Sequence, residues 1–511
     1  MSRRAVRILV ALAVLCGGAP PLPAAENAAL ERGTAITDPA LLRELDQTDV
    51  LSLSRLLWPA RNADFPLTTD VLFATLPQLA RIRPAIDAEF DRYVARHLAS
   101  SPGDTIGVGD GFAVQLFDRA ALNSSRTRFV LAGIVNRMDR AYVAEASCGE
   151  IRLIYRLVRI EPDDGKTPTR LPMTLNLVLK AKHDGQKNRD GKIVTCAEIA
   201  RRWLGNDGWL DLIDREAVPQ DALLDRIETN IQIAFAPKSA LRDFRTDYLL
   251  KVFRYDADAK VFEESPLENQ IDRDRILSDG DLGREFKAWL LAPEHFGAFD
   301  RGTVLIPEKF LAKAAVVPTP AGVASSKLQP EFGLMQGEGE SKRDPVLTDG
   351  DVVGALKQAA ARGIALQNIR SVAGFQRRLN DITCAGCHQT RGIGGFHFPG
   401  VDWLADKPSA IVPASPHFFG DQVRRRDILA AFRDGRPPDF SRGFTSRPQT
   451  RGSTELAGTE YQDGWGASCY LQAAGSGNAD RSFGSWTCAR GLTCQVRGAA
   501  SGMGMCFVRT R

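Results

Sequence analysis

Leu41, Leu42 and Leu45, and then Val71, Leu72, Leu76 and Leu79, recur three and four residues apart in an otherwise polar stretch. That spacing places side chains on one face of a helix, so residues 35–100 are predicted to be helical. The pattern changes near residue 112. The runs 129–135, 151–158, 173–179, 230–235 and 247–253 are short and rich in β-branched and aromatic residues. Asp163-Asp164-Gly165 and His183-Asp184-Gly185 between them carry turn chemistry. Together they predict an antiparallel sheet or sandwich over residues 112–265. One helix interrupts it: Thr195 followed by Glu198 is a capping box ahead of Ile199 to Leu204. Further helices are expected around 281–291 and 307–315.

Residues 317–347 contain Pro318, Pro320, Pro330 and Pro345 among Gly, Ser and charged residues, the composition of a linker or a surface strap. Helical patterning then resumes. Thr348 is placed to cap a helix running to about Arg362. A second helix follows Ser371, with Val372, Phe375, Leu379 and Ile382 near one face. Arg424 to Phe432 forms a closing helix that Gly435 and the prolines after it terminate. No repeat of fixed period is present.

Composition bounds the class of protein without naming it. A chain of 511 residues predicts roughly three domains at about 150 residues each. With 44% apolar and 25% charged residues it is ordinary globular material. The net charge of +4 and the absence of any basic run longer than Arg424-Arg425-Arg426 argue against a nucleic-acid partner. Arg3, Arg4 and Arg7 precede the apolar run Ile8 to Cys16 and then small residues up to Ala25, which reads as a secretory signal peptide over residues 1–25. That run is too short to cross a bilayer, no later one is long enough, and so no membrane span is expected. The destination is the periplasm, the cell envelope or the exterior.

Removal of the signal takes Cys16 and leaves eight of the nine cysteines in an oxidising compartment. They form three groups. Cys148 and Cys196 are expected to join a strand end to a helix start as a structural disulfide. Cys469, Cys488, Cys494 and Cys506 lie in a Gly/Ser/Ala-rich segment too short to bury much core, where two disulfides are the expected staples in any of three connectivities. A metal site there is disfavoured, because the segment has no histidine.

The third group carries chemistry. Thr383-Cys384-Ala385-Gly386-Cys387-His388 contains Cys-x-x-Cys-His, the c-type haem attachment signature. Two thiols three residues apart near a helix end can meet the two vinyl groups of one porphyrin edge. The next residue, His388, then stands on one face of the ring, where its imidazole can ligate iron. Here the chain resembles the cytochrome c family, over about residues 348–440. The resemblance implies an all-α haem domain holding one covalent haem c through Cys384 and Cys387, with His388 as proximal ligand. It also implies export through a Sec-type route, since haem is attached to unfolded apoprotein. The family's usual distal ligand is methionine, but Met503 and Met505 fall inside the last cysteine group and Met335 lies upstream. His417, in a loop beside phenylalanines, is the favoured distal ligand, with His397 or an open iron as alternatives. Arg391 and the run Arg424 to Arg426, Arg425 included, are candidates to pair with the haem propionates.

The large N-terminal region shows no Gly-x-Ser-x-Gly elbow, no His-Glu-x-x-His and no phosphate loop. Asn136-Arg137-x-Asp139-Arg140 and Cys148-Gly149-Glu150 are a dense polar cluster between two strands, more readily a turn with its own ion pairs than a site. His97, His183 and His295 are read as surface or capping residues. The expected fold class is α+β, in five parts. Residues 1–25 are the signal. Residues 26–316 form a β-rich N-terminal region with flanking helices, and 317–347 a strap. Residues 348–445 form an all-α cytochrome c-like haem domain and 446–511 a small disulfide-rich module. The expected function is electron transfer to a redox partner protein. A haem enzyme or ligand sensor with an open iron, and a non-haem secreted binding protein, are the alternatives.

Overall fold

A computed structural model describes residues 33–48, 51–58, 67–160, 169–180, 183–187, 191–205, 224–236, 245–319, 334, 345–384, 416–443, 468–471, 487–496 and 503–508. Among the described residues up to 319 there are twelve strands: β1 (Ala35–Ile36), β2 (Ile106–Gly107), β3 (Val114–Leu116), β4 (Thr127–Asn136), β5 (Ile151–Arg159), β6 (Thr169–Leu179), β7 (Gln186–Lys187), β8 (Ile193–Val194), β9 (Leu224–Ala236), β10 (Arg245–Asp256), β11 (Val261–Ser265) and β12 (Ala314–Thr319). Ten of them make one sheet whose central order is β1-β4-β5-β6-β9-β10-β11, antiparallel throughout, with β12 also on β10. β3 pairs with the end of β9, and the short β2 joins it in parallel. β7 and β8 form a separate ribbon.

The register explains the two faces of this sheet. Leu153, Leu177, Ile227 and Phe253 lie side by side across β5, β6, β9 and β10. The next residues along the strands make the row Ile154, Asn176, Glu228 and Val252 on the opposite face, and the row beyond the first on that face is Arg152, Val178, Arg226 and Arg254. Side chains alternate across a sheet, so one face is apolar and the other polar and charged. The apolar face is covered by the helices Pro39–Gln47, Leu53–Leu57, Thr69–Thr75 and Ile82–Ser100. Their Leu42, Leu45, Leu72, Phe73, Ile86 and Phe90 share its core. The helical reading of residues 35–100 and the five strand runs were therefore legible as local patterns. The expected helix at 307–315 is instead a single 3₁₀ turn, Glu308–Phe310, followed by β12. Val316 and Val317 are β-branched and pair with β10, which outweighs the weak helical periodicity there.

The expected all-α cytochrome c-like domain is not seen. The helices Asp349–Ala361 and Val372–Asp381 form as predicted, capped by Thr348 with Asp351 and by Ser371. Their apolar stripes do not close on each other to enclose a core of their own. Val352, Ala355, Phe375 and Leu379 pack with Ile276, Phe286, Phe296 and Phe299 from the helices Arg273–Ser278, Gly280–Leu290 and Pro293–Arg301. The Phe375 ring centroid lies 5.0 Å from that of Phe299. Asp300 fixes the entry to the second helix, accepting the backbone N–H groups of Gln367, Asn368 and Ile369 at 3.0, 2.7 and 2.8 Å. Buried Arg378 donates to the carbonyls of Asp300 and Gly443, both at 2.8 Å. The closing helix runs Pro416–Arg433, longer than expected, and packs elsewhere, with Leu429 and Phe432 against Met138, Ala200 and the Cys148–Cys196 disulfide. An apolar stripe specifies that a helix buries one face and leaves the partner open.

Leu334 of the strap is fully buried in the second core, where its carbonyl accepts the Leu347 N–H at 2.9 Å. The C-terminal module is a three-stranded sheet of β13 (Ser468–Tyr470), β14 (Leu492–Val496) and β15 (Met503–Val508), in the order β13-β15-β14. Its disulfides are Cys469–Cys494 and Cys488–Cys506, one of the three open connectivities. No helix among the described residues is long and apolar enough to cross a membrane.

Removing the Phe375 ring should destabilise the chain by about 3–5 kcal/mol, the cost of emptying a well-packed aromatic site. Denaturant unfolding of Phe375→Ala measures it. A loss below about 1 kcal/mol would mean that this helix does not share a core with Phe296 and Phe299.

Candidate functional site

Cys384 stands just beyond the end of the helix Val372–Asp381, where the chain leaves the second core and reaches the polar face of the sheet. It is 6% exposed and packs with Leu250, Leu267, Ala315 and Val317. It also lines a cleft of about 390 Å³, a volume within the ordinary range for small-molecule sites. Ile382, Leu250, Val252 and Leu267 supply the apolar part of the lining beside the thiol. The remainder is charged.

The charged wall centres on Glu150. Its carboxylate accepts from Arg152 Nε at 2.8 Å and from Arg226 Nη2 at 2.9 Å, and pairs with Arg140 Nε at 3.0 Å. Glu228 accepts from Arg152 Nη1 and Arg226 Nε, both at 2.8 Å. Arg140 Nη1 donates to Glu268 at 2.9 Å. Burial alone would raise the Glu150 carboxyl, but Arg140, Arg152 and Arg226 outweigh it and hold the group well below the usual carboxylate range. Burial likewise opposes, and Arg140 overcomes, at Glu268, whose pKa falls to about 2. Behind this wall lies a second network. Asp139 accepts from Arg137 Nε at 2.8 Å and from Arg424 Nη2 at 2.9 Å, and Arg424 Nε also donates to Asp421 at 2.7 Å.

Local chain geometry makes the wall possible. Gly149 has φ of +88°, and a Cβ there would fall 2.3 Å from the Arg137 carbonyl oxygen. Only glycine fits this close approach, which lets the Arg137 N–H reach the Glu150 carbonyl at 2.8 Å. The neighbouring Cys148 is bonded to Cys196 as expected, which ties this turn to the first residue of the helix Cys196–Leu204.

Of the residues expected to hold a haem, Cys384 is at the cleft, whereas Cys387, His388, Arg391 and His397 lie outside the described residues, as does the signal segment 1–25. His417 is not in a loop; it falls in the first turn of the helix Pro416–Arg433. Met503 and Met505 lie on β15, in the disulfide-bonded module. Arg425, expected at the propionates, is 2% exposed and donates Nε to Asp421 at 2.8 Å, so its guanidinium is engaged inside the fold. Burial lowers its pKa to about 10, with Arg137 adding to the effect.

The structure brings to the cleft several residues the sequence did not single out. Glu228, Glu268, Asn176 and Arg442 line it, and so does His183, which is exposed as expected of a surface histidine. The cluster 136–150, read as a self-contained turn, lines it too. The available signal was the alternation in β5, β6 and β9: Arg152, Asn176, Arg226 and Glu228 interrupt apolar runs at positions that share one face. No family model, curated protein or solved structure matches the chain.

Glu150→Ala leaves three guanidiniums around an empty position and should cost about 3–5 kcal/mol in urea unfolding at pH 7. Glu150, Glu228 and Glu268 all titrate below their ordinary value of 4.5 in the folded chain. Their contribution to stability is therefore complete above about that pH and is lost as the pH falls through the depressed values, toward 2 for Glu268. Urea midpoints measured from pH 6 down to 2.5 should drop more steeply for the wild type than for Glu150→Gln. Parallel curves would remove Glu150 from the acid response.

Proposed function

We propose that the chain is an exported c-type cytochrome carrying one haem c, attached by thioethers at Cys384 and Cys387, with His388 as an iron ligand. The observation that supports this most is the position of Cys384. Cys384 is the first cysteine of the Cys-x-x-Cys-His signature. It lines a cleft with an apolar wall on its own side and guanidiniums on the other.

The described residues suit a porphyrin edge. Leu250, Val252, Leu267 and Ile382 offer apolar contact beside the thiol. A haem bound there supplies one-electron Fe(III)/Fe(II) cycling, which suits electron transfer to a redox partner protein. The protein's part is to fix the attachment point. The helix Val372–Asp381 is anchored through Phe375, Leu379 and Arg378, so the thiol of Cys384 is delivered from a rigid element. The oxidised pairs Cys148–Cys196, Cys469–Cys494 and Cys488–Cys506 are compatible with an exported chain, and residues 1–25 read as its Sec-type signal. The cleft beside Cys384 also favours a second reading, in which a small ligand reaches the iron. Spectra of His397→Ala and His417→Ala separate the two, because a six-coordinate electron carrier changes its axial ligation on losing one of them.

The deciding measurement is a pyridine haemochrome spectrum after acid–acetone extraction, on chain produced with a c-type maturation system. Haem should stay with the polypeptide in the wild type and be lost from Cys384→Ser/Cys387→Ser. Complete extraction from the wild type would end the haem reading and leave a disulfide-bonded binding protein.

A further inference from the structure

The charged face of the sheet has properties that the haem reading does not use. Asn176 sits in its middle, between Ile154 and Glu228 on the neighbouring strands, and is fully buried. It lines the cleft, yet neither its Nδ2 nor its Oδ1 has a hydrogen-bond partner among the described residues. Asn230 lies diagonally across on β9, on the same face, and its Oδ1 is likewise unmatched. A desolvated carboxamide with both halves unmatched is costly and persists where something else completes it. Whatever completes it must both donate and accept.

The charge of the cleft defines the rest. Glu150, Glu228 and Glu268 are each matched by arginines, as described above. Lys180 and Arg442 also line the cleft, and among the described residues neither is in an ion pair. Arg442 is held in place by its Nη2 donating to Tyr142 Oη at 2.8 Å and by stacking 5.7 Å from that ring centroid, while its Nε is unmatched. A positioned guanidinium with its Nε unmatched suits a carboxylate.

We infer that this cleft binds a small hydroxycarboxylate, its carboxylate on Arg442 and its hydroxyls, which donate and accept, on the carboxamides of Asn176 and Asn230. Lys180 adds positive potential at the rim. The inference stands on Asn176, Asn230, Lys180 and Arg442 and does not depend on haem attachment.

Isothermal titration calorimetry on the full, disulfide-intact chain tests it, with D-gluconate as the probe. Hexanoate, which lacks hydroxyls, and sorbitol, which lacks the charge, are the controls. The titrations are run on the wild type and on Cys384→Ser/Cys387→Ser, which carries no covalent haem. Gluconate should bind both forms at least tenfold more tightly than either control. Asn176→Ala should lose at least tenfold in affinity with an unchanged or raised Tm, since it removes an unmatched polar group rather than a structural bond. Arg442→Ala should lose affinity for gluconate but not for sorbitol. Absence of gluconate binding to both forms would overturn the inference and assign the floor to ordered water. Binding to the haem-free form alone would overturn it too, by assigning the carboxylate position to the haem propionates. A lowered Tm in Asn176→Ala with unchanged affinity would make Asn176 structural. Failure to retain haem removes only the comparison of the two forms and leaves the gluconate, control-ligand, Asn176→Ala and Arg442→Ala outcomes readable.

Discussion

Glu150 is the point through which the charged half of this fold is held together. Its one carboxylate meets Arg140 from the turn after β4, Arg152 from β5 and Arg226 from β9. Guanidiniums on a buried sheet face repel one another and lose hydration, so the face exists only because carboxylates are interleaved with them. Glu228 and Glu268 extend the same alternation. The turn that presents Glu150 depends in turn on Gly149, whose missing Cβ admits the Arg137 backbone, and on the disulfide at Cys148. A sheet with an apolar second face would have become the middle layer of a larger core. The ion network instead leaves a cleft there, and the segment bearing Cys384 comes to rest against it.

Two cores flank this arrangement and have different tasks. The first, under the N-terminal helices, flattens the sheet against Leu42, Phe73, Ile86 and Phe90 and fixes its register. The second packs helices from residues 273–301 with those from 349–381. Asp300 and Arg378 mark one margin of it. Asp300 receives three backbone N–H groups, and Arg378 joins the Asp300 and Gly443 carbonyls, so the helix leading to Cys384 has both ends set by buried polar bonds. The thiol thus comes from a helix end fixed by buried bonds toward the charged face of the sheet. That meeting of a packed helix end with a charged sheet face is what makes the cleft a candidate site.

Much of the local structure was legible in the chain. Short runs rich in β-branched and aromatic residues marked the long strands β4, β5, β6, β9 and β10, and helical spacing with Thr195, Thr348 and Ser371 at the starts marked the helices, because each pattern reflects the geometry of one element and its immediate neighbours. The Cys148–Cys196 pairing and the two-disulfide module followed from count and compartment. The chemistry of Cys-x-x-Cys-His is likewise local, since five consecutive residues carry it.

What tertiary structure decided was every choice among partners. Phe375 and Leu379 face Phe296 and Phe299 rather than a domain of their own, and nothing in an amphipathic stripe distinguishes those outcomes. Arg425, exposed to view in a run of three arginines, is buried against Asp421, while Arg442, a lone residue after a proline-rich turn, reaches the cleft. Asn136 to Glu150 looked like a turn satisfied by itself, and Arg137–Asp139 and Arg140–Glu150 do pair within it, yet Arg140 also meets Glu268 and Glu150 also meets Arg152 and Arg226. Sequence determines which faces must be hidden and which residues bear chemistry. Only the assembled sheet, with four strands in register, determines that Asn176, Glu228, Arg442 and Cys384 share one cleft, because contacts between residues so far apart in the chain are fixed by packing and charge matching over the whole fold.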